Sequence, residues 1–394
     1  MNNLKNKNKR LYIKDNNHIS KNEFSKTKFF NFSIVTKIII IFIFLIIYFI
    51  TNVKMNISNI HLPLSKKSVI INEISSDFIK SLKNILKEDE LIENEMMQKH
   101  TTFRTGGPAK FFVKPKTYKQ IIEIIKLCNK YKVNYFILGN GSNLLVSDNG
   151  YYGIVIQIHE HNFANLEVLK EDENIYYLKV GGGILMKTLS IEACLLSLSG
   201  LEDIIDIPGT IGGGIIMNAS FKGSGIREVL EKVKIITPEG IIMELKKKEC
   251  ELTHRGSLLK DKRYLVIEAL FKLKKQDKMI IQKTMTDNTK MRYEKQPMYF
   301  GSAGCFFVWN HAKFGSMYEK YKENNLVGYR VGNAMIYTYN IAFIVNLGNS
   351  NSNEIMAIVT HIEKIIEKKY AIKMKREVIV IGIFYFFDFI LLIK

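Results

Sequence analysis

The 394-residue chain lacks the residue spacings that mark metal centres, disulfide frameworks and several enzyme classes. Its four cysteines are scattered, and no two stand at the CxxC spacing of a zinc or redox site. We therefore expect reduced thiols in a reducing compartment and no metal site. The HExxH, GxSxG and P-loop signatures are also absent, so the sequence offers no sign of these hydrolase and nucleotidase classes.

Acidic residues are too few to balance the basic ones, and the formal net charge is +19. Residues 1–37 hold nine Lys or Arg against two acids, so over a third of the excess lies in the N-terminal segment. No basic stripe with interleaved aromatic residues follows it in the glycine-rich body of the chain. We therefore expect no nucleic-acid partner.

The N-terminal segment differs in composition from the rest of the chain. Residues 1–31 are polar and rich in Asn and Lys, which predicts a disordered basic leader. Residues 32–52 form a hydrophobic segment in which residues 38–50 are all apolar. Three interpretations stay open for it: a membrane tether, a targeting segment, or a leader that is never made because translation begins downstream, for example at Met55.

The chain has three glycine-rich loops, at residues 138–143 (LGNGSN), 181–183 (GGG) and 207–214 (IPGTIGGG), and the first two follow strand-like runs. Glycine is costly inside a helix or strand, so the third run predicts a turn whose bare N–H groups approach an anion. One such loop alone would be a structural turn, but three together favour a large, phosphate-bearing cofactor. The GxGxxG fingerprint of dinucleotide-binding folds, with its acidic partner, is absent.

Hydrophobic periodicity predicts alternating helices and short strands over the body of the chain. The predicted helices span residues 68–99, 117–130, 184–198, 278–296 and 353–369. The predicted strands span residues 110–114, 135–138, 144–146, 153–158, 175–180, 265–273, 343–347 and 378–381, with a hairpin over 233–245. The apolar tail, residues 383–394, is an additional strand, an amphiphilic anchor or a read-through.

Several motifs, in this order and spacing, resemble the UDP-N-acetylenolpyruvoylglucosamine reductase (MurB) family. They are TGGPA at 105–109, LGNGSN at 138–143, IPGTIGG at 207–213, MNA at 217–219, QP at 296–297, SAGCFF at 302–307 and REV at 376–378. Each motif alone is modest evidence, whereas the ordered set is specific. The resemblance covers about residues 76–382 and is closest to the compact branch of the family.

This resemblance implies an α+β fold: an FAD-binding domain of the vanillyl-alcohol-oxidase (PCMH) type at residues 76–273 and a smaller α/β substrate-binding domain at 274–382. It implies a cytoplasmic enzyme that makes UDP-N-acetylmuramate for peptidoglycan, and so serves cell-wall biogenesis, cell shape and division. NADPH reduces FAD, and the flavin then delivers hydride to the enolpyruvyl double bond of UDP-N-acetylglucosamine enolpyruvate. A decayed flavin-binding protein and another flavin oxidoreductase of the same fold are the alternatives.

The same resemblance implies catalytic roles for three residues of this chain. Arg255 would stabilise the enolate charge, Glu377 would lie beside it at the substrate, and Cys305 would donate the proton where the family usually has Ser. The implied FAD-binding residues are Gly139, Asn140, Gly141, Ser142, Asn143, Pro208, Gly209, Thr210, Gly212, Gly213 and Asn218. The implied substrate-binding residues are Lys295, Ser302 and Gly304.

The chain departs from the family pattern at a few positions. His254 replaces a Tyr, Ser220 replaces a Gly, and Gly301 replaces a Pro. Residues 338–342 (TYNIA) replace a stretch with Lys and His. The loss of these two side chains is expected to weaken substrate or packing contacts.

Overall fold

The computed structural model describes residues 74–386 and 389–393. The predicted basic leader at 1–31 and the hydrophobic segment at 32–52 lie outside these residues. Among the helices of the described part, none combines the length and the apolar character that a bilayer crossing requires.

The first region, residues 76–157, forms a mixed sheet covered by two helices. Its elements are α1 (Ser76–Ile85), a 3₁₀ turn (Glu88–Glu90), β1 (Leu91–Met96), a second 3₁₀ turn (Met97–His100), β2 (Pro108–Val113), α2 (Tyr118–Tyr131), β3 (Tyr135–Leu138), β4 (Leu144–Val146) and β5 (Tyr151–Gln157). The sheet order is β1-β2-β5-β3, with β1 antiparallel to β2 and the other pairs parallel. Helix α2 confirms the prediction for residues 117–130, and its buried face carries Ile121, Ile124, Ile125 and Cys128.

The helix predicted over residues 68–99 is wrong beyond Ile85. Residues 91–96 instead form β1, which pairs with β2 along its whole length. Between α1 and β1, the buried carboxylate of Glu90 accepts hydrogen bonds from the Lys87 N–H (3.0 Å) and the Gln120 side chain (2.8 Å). Pairing with a neighbouring strand therefore overrides the helical periodicity of this stretch.

The second region, residues 160–275, is built on a six-stranded antiparallel sheet. The elements are α3 (Glu160–Phe163), β6 (Leu166–Lys170), β7 (Ile175–Gly181), α4 (Met186–Leu195), β8 (Leu198–Ser199), a 3₁₀ turn (Glu202–Ile204), α5 (Ile211–Ile216), β9 (Ser220–Phe221), β10 (Ser224–Gly225), α6 (Ile226–Val229), β11 (Leu230–Ile236), β12 (Ile242–Lys246), a 3₁₀ turn (Lys247–Cys250), α7 (Leu258–Asp261) and β13 (Leu265–Lys275). The strands run in the order β12-β11-β13-β7-β6, and β8 pairs with β13. The hairpin predicted over residues 233–245 is confirmed by β11 and β12.

The predicted turn over residues 207–214 is wrong in its second half, because Gly212, Gly213 and Gly214 lie inside the short helix α5. Thr210 caps this helix through its side chain. A Cβ atom on residue 212 would lie 3.0 Å from the backbone oxygens of Gly182 and Val266. The glycine here lets α5 pack directly on neighbouring backbone, and this tertiary contact outweighs the intrinsic penalty of Gly in a helix.

The third region follows β13 and is mainly helical with small sheets. Its elements are α8 (Lys278–Lys295), β14 (Phe307–Val308), α9 (His311–Phe314), α10 (Met317–Glu323), β15 (Arg330–Val331), β16 (Ala334–Ile336), β17 (Ile344–Asn346), α11 (Ser352–Tyr370), β18 (Lys375–Arg376), β19 (Ile379–Phe386) and β20 (Phe389–Ile393). Strand β14 pairs with β18, and β15, β16 and β17 form an antiparallel sheet. Strand β19 continues past the predicted end at residue 381 and pairs with β20.

The first and third regions are joined by a parallel pairing of β4 with β19. Ile379 lies opposite Leu144, and Ile381 lies opposite Val146. Phe103 and Leu145 of the first region belong to the same apolar cluster as the buried face of α11. The two regions therefore share both a sheet and a core.

We expect Gly182→Ala to lower the free energy of unfolding by about 1–3 kcal/mol, because its new Cβ would lie 2.3 Å from the backbone oxygen of Val266. Gly213→Ala is the matched control. Gly213 lies in the same cluster of loops, but its nearest neighbour is Thr210 Oγ1 at 3.4 Å. At residue 213 the better helix propensity of Ala should raise the free energy of unfolding by about 0.5–1 kcal/mol. Urea unfolding of the flavin-free protein measures both, and equal stabilities would contradict the packing argument.

Candidate active site

The three glycine-rich loops that the sequence singles out meet at one place. A Cβ atom on residue 139 would lie 2.6 Å from Thr210 Oγ1, and one on residue 209 would lie 3.4 Å from Ser142 Oγ. The Gly212 N–H donates to the Gly182 carbonyl at 2.8 Å. The convergence confirms that these loops form one feature rather than three separate turns.

The loop at residues 140–143 offers unused hydrogen-bond donors. In the part of the chain that the structure describes, the backbone N–H groups of these four residues donate to no protein acceptor. Gly141 holds the loop in shape with a φ of +62°, and its α-carbon packs against the His100 carbonyl, where a side chain would clash. Such a cluster of free N–H groups fits a diphosphate, so the residues present suit a flavin dinucleotide.

The Asn140 side chain extends this cluster toward the second region. Its Oδ1 lies 3.2 Å from His159 Nε2. A Cβ atom on residue 183 would lie only 2.5 Å from the His159 carbonyl oxygen, so His159 also packs closely against that glycine. This contact links the loop at 139–143 to the loop at 181–183.

Arg255 is positioned by the C-terminal end of α5. Asn218, just after that helix, donates from Nδ2 to the Thr253 carbonyl at 2.7 Å. Ser257 donates from Oγ to the Ile216 carbonyl, also at 2.7 Å. These bonds bracket Arg255, whose backbone is left-handed with a φ of +59°. A non-glycine residue in this conformation is strained, and the two flanking bonds hold it there.

Glu377 approaches Arg255 from the third region. Its Oε1 lies 3.3 Å from Arg255 Nε, with 14% of the Glu377 side chain and 27% of the Arg255 side chain exposed. Asn143 Nδ2 donates to the Glu377 carbonyl at 3.2 Å, so the flavin-site loop also positions this residue. Burial raises the pKa of the Glu377 carboxyl, while Arg255 and Lys260 oppose the rise. The structure thus pairs two of the three predicted catalytic residues.

Cys305 lies on the loop between α8 and β14, beside this ion pair. It pairs with Phe343 across an isolated β-bridge, and the next residue, Phe306, accepts a hydrogen bond from the Glu377 N–H at 2.9 Å. Burial raises the pKa of the Cys305 thiol to about 11, with a further rise from the Glu377 charge. Arg255 and Arg292 act in the opposite direction. At neutral pH the sulfur therefore keeps its proton.

Sequence reasoning missed two cations at this site. Arg292, on α8, is only 5% exposed, and its Nε has no hydrogen-bond partner among the described residues. Its guanidinium lies 5.1 Å from the ring centroid of Phe221. Lys260, on α7, acts on Glu377, and burial lowers the pKa of its ammonium. Neither stands in a recognisable motif, and each looks in the sequence like a solvated helix charge.

The three predicted substrate residues lie on the chain segments that carry Arg292 and Cys305. Lys295 is the last residue of α8, is exposed, and accepts a hydrogen bond on its carbonyl from Asn340 Nδ2 at 2.9 Å. Ser302 is held by its backbone, donating to and accepting from Thr102. Gly304 has a φ of +79°, which turns the chain into Cys305. Within the described residues, no group of three or more His, Cys, Asp or Glu side chains could hold a metal ion.

The arrangement combines three chemical capabilities. A nest of N–H donors can bind a diphosphate, a guanidinium held by a carboxylate can stabilise a developing anion, and a protonated thiol can act as a general acid. These are the parts that a flavin-dependent reduction of a polarised double bond requires.

Comparison with known proteins agrees with this arrangement. Residues 109–246 match the model of an FAD binding domain family, and residues 296–381 match that of the C-terminal domain of UDP-N-acetylenolpyruvoylglucosamine reductase. Both the flavin-binding domain and the smaller C-terminal domain of the predicted α+β fold are thereby confirmed.

Curated relatives match most of the chain. The UDP-N-acetylenolpyruvoylglucosamine reductase of Alkaliphilus metalliredigens is 35% identical over 76% of this chain and 95% of its own length. That of Lachnoclostridium phytofermentans is 32% identical over 77% and 97%. The crystal structure of the reductase (MurB) from Thermus caldophilus superposes with a TM-score of 0.60 at 29% identity, covering 74% of this chain and 98% of the other. The chain belongs to the UDP-N-acetylenolpyruvoylglucosamine reductase family.

Proposed function

We propose that this protein reduces UDP-N-acetylglucosamine enolpyruvate to UDP-N-acetylmuramate, using FAD and NADPH. The observation that carries the proposal is the Arg255–Glu377 ion pair beside Cys305, in which Glu377 is held by the loop that offers free N–H donors. When bound, FAD supplies the transfer of hydride from NADPH to the terminal carbon of the enolpyruvyl group. Residues 139–143 and 208–210, together with Gly212, Gly213 and Asn218, would hold it.

We propose that Arg255 stabilises the negative charge that develops as the double bond is reduced. Its guanidinium forms a rigid fork of donors, and Glu377 fixes the direction of that fork through the 3.3 Å contact at Nε. Because the ion pair is mostly buried, little water screens the charge. Glu377 would therefore act by holding Arg255 at the substrate.

Cys305 would supply the proton that completes the reaction. The S–H bond breaks as a C–H bond forms at the carbon next to the one that received hydride, and the thiolate left behind then takes a proton from solvent. A pKa of about 11 keeps the thiol protonated beforehand. The positive charges of Arg255 and Arg292 stabilise the transient thiolate.

We also propose that the catalytic part works in the cytoplasm, where UDP-sugars and NADPH are found together. A membrane span at residues 32–52 with a cytoplasmic N-terminus would place the body on the opposite side. The cytoplasmic proposal therefore favours a downstream start for that leader, whereas a targeting segment would place the enzyme in an organelle. The proposed domain division at residues 273/274 falls in the last few residues of chain before α8, two residues before β13 ends at Lys275.

The two half-reactions can be separated by following the flavin spectrum of the full chain without oxygen. NADPH should bleach the flavin, and UDP-N-acetylglucosamine enolpyruvate should then restore its colour. A flavin that NADPH reduces but this sugar fails to reoxidise would overturn the proposal. That result would indicate instead a non-catalytic flavin-binding protein or an oxidoreductase with another substrate.

Cys305→Ala should slow the second half-reaction by about 10²–10⁴-fold, the usual contribution of a general acid, and spare the bleaching by NADPH. Cys305→Ser should recover much of the loss, since a hydroxyl can also donate a proton. Cys128→Ala, which removes a buried thiol on α2, is the control and should leave both half-reactions intact. Equal reoxidation rates in Cys305→Ala and the unmodified protein would rule out this proton donor.

Removing a charge beside Cys305 should shift the pKa of its thiol, and the direction of the shift depends on the sign of the charge removed. Glu377→Gln removes a charge that raises the pKa of the thiol, so alkylation by iodoacetamide should reach half its maximal rate below pH 11. Arg255→Gln removes a charge that lowers this pKa, so the midpoint should rise. Mass spectrometry of the Cys305 peptide across a pH series measures both shifts. If both variants are alkylated with the same midpoint pH, the charges of Glu377 and Arg255 do not act on the Cys305 thiol.

A further inference from the structure

An ion pair between helix α11 and strand β18 adjoins the residue that carries the proposed catalytic carboxylate. Arg376 donates from Nε to Glu363 Oε1 and from Nη2 to Glu363 Oε2, both at 2.7 Å. Each of the two side chains is 24% exposed. Because both carboxylate oxygens accept from one planar guanidinium, the pair fixes the direction of the two side chains as well as their separation.

Helix α11 gives this ion pair a firm support. Ile362 and Ile366, on either side of Glu363, are buried in the same apolar cluster as Phe306 and Val378. The helix therefore cannot shift without disturbing a closely packed core. The two hydrogen bonds of Glu363 transmit the position of α11 to the strand that precedes Glu377.

That strand has few other restraints. β18 is two residues long and pairs with β14 over two positions. Just after it, the Glu377 N–H donates to the Phe306 carbonyl, and the Glu377 carbonyl accepts from Asn143. A ladder this short leaves the strand free to tilt, and the clamp on Arg376 removes that freedom.

The carboxylate of Glu377 depends on its backbone, because little else holds it. In the described part of the chain, the one ion pair that it forms is the 3.3 Å contact with Arg255, which is long beside the usual length of about 2.7–2.9 Å. Arg376 and Glu377 are consecutive, yet their side chains contact different elements, α11 and the loop before α7. A backbone shift at Arg376 would therefore move Glu377 relative to Arg255.

We propose that Glu363 is a positioning residue for the reduction: by holding Arg376, it sets where the Glu377 carboxylate stands relative to Arg255 and Cys305. This inference rests on the proposed function. Glu363 itself lies on the opposite side of the strand from the reacting groups and does not touch the substrate. Its contribution is to keep Glu377 in place while the charge at the substrate changes.

The influence of Glu363 is geometric rather than electrostatic. The charges that shift the pKa of the Cys305 thiol are those of Glu377, Arg255 and Arg292. Glu363 is not among them, so replacing it alters this pKa only if one of those groups moves. Alkylation of Cys305 therefore reports the position of Glu377 without any turnover.

The first test measures the midpoint pH of Cys305 alkylation in the full chain loaded with FAD. Glu363→Gln should lower this midpoint, by no more than Glu377→Gln does. Burial disfavours the charge of Glu377, so a released carboxylate turns toward water and away from the thiol. Glu367→Gln is the matched control: it removes the same charge from an exposed position one turn further along α11, and it should leave the midpoint unchanged.

The second test follows the flavin in the same proteins. Reoxidation by the enolpyruvyl sugar should slow by about 10- to 100-fold in Glu363→Gln, the range expected for a small misplacement, while bleaching by NADPH stays unchanged. Arg376→Lys keeps the charge but loses the planar fork, so it should show a smaller loss of the same kind. The exchange of Glu363→Arg with Arg376→Glu rebuilds the pair in reverse and should recover most of the rate.

The two readouts distinguish this inference from the proposed function. A reoxidation rate in Glu363→Gln equal to that of the unmodified protein would overturn the inference and leave the proposed function intact, as would a slower rate with an unchanged or raised midpoint. A lowered midpoint in a protein that the sugar never reoxidises would show that Glu363 positions Glu377, and would remove the proposed function instead. If Glu363→Gln does not fold, Arg376→Lys decides the matter by the same two measurements.

Discussion

The parallel pairing of β4 with β19 determines where the chemistry of this molecule takes place. Two parallel strands begin at the same edge of a sheet, so the residues just before them come together. The glycine-rich loop at 139–143 stands before β4, and Glu377 stands before β19. The hydrogen bond from Asn143 to the Glu377 carbonyl is the direct result. One register therefore joins the glycine-rich loop to the carboxylate that we propose acts in catalysis.

The charge balance of the site follows from what surrounds that edge. Arg255, Arg292 and Lys260 bring three positive charges to the site, where Glu377 acts on Arg255 and Lys260 and Asp206 acts on Arg292. A buried excess of positive charge is costly on its own, and a carboxylate- and diphosphate-bearing substrate would offset it. The left-handed backbone at Arg255 adds strain, so the site holds its most important cation at the expense of local stability.

Much of the fold could be predicted from the sequence, because glycine clusters and long amphipathic helices leave local signals. The three loops around Gly139, Gly182 and Gly212 were identified as one site for this reason. The helix predicted through residue 99 was wrong, since Leu91–Met96 pairs with a strand that periodicity does not reveal. Helix α5 was missed, because local propensity disfavours three successive glycines and only the contact with Gly182 and Val266 explains them.

The site was predicted less completely, because its geometry also depends on contacts between segments that are distant in the sequence. Motifs pointed to Arg255, Cys305 and Glu377, but the 3.3 Å contact between two of them depends on strand register. Arg292 is a buried cation only because α8 packs it against Phe221, and nothing within the helix sequence marks it. Residue type can suggest a role, while burial and charge coupling arise from contacts between distant segments.

The β4–β19 pairing also has a consequence for the order in which the working molecule is assembled. Leu144 is synthesised long before Ile379, and pairing them closes most of the catalytic part into one loop. Contacts so distant in sequence form late, because the entropy of closing the loop must be overcome first. A nascent chain can thus fold its first sheet and glycine loops before it possesses Glu377. If Glu377 has the proposed role, reductase chemistry begins only when β19 has docked.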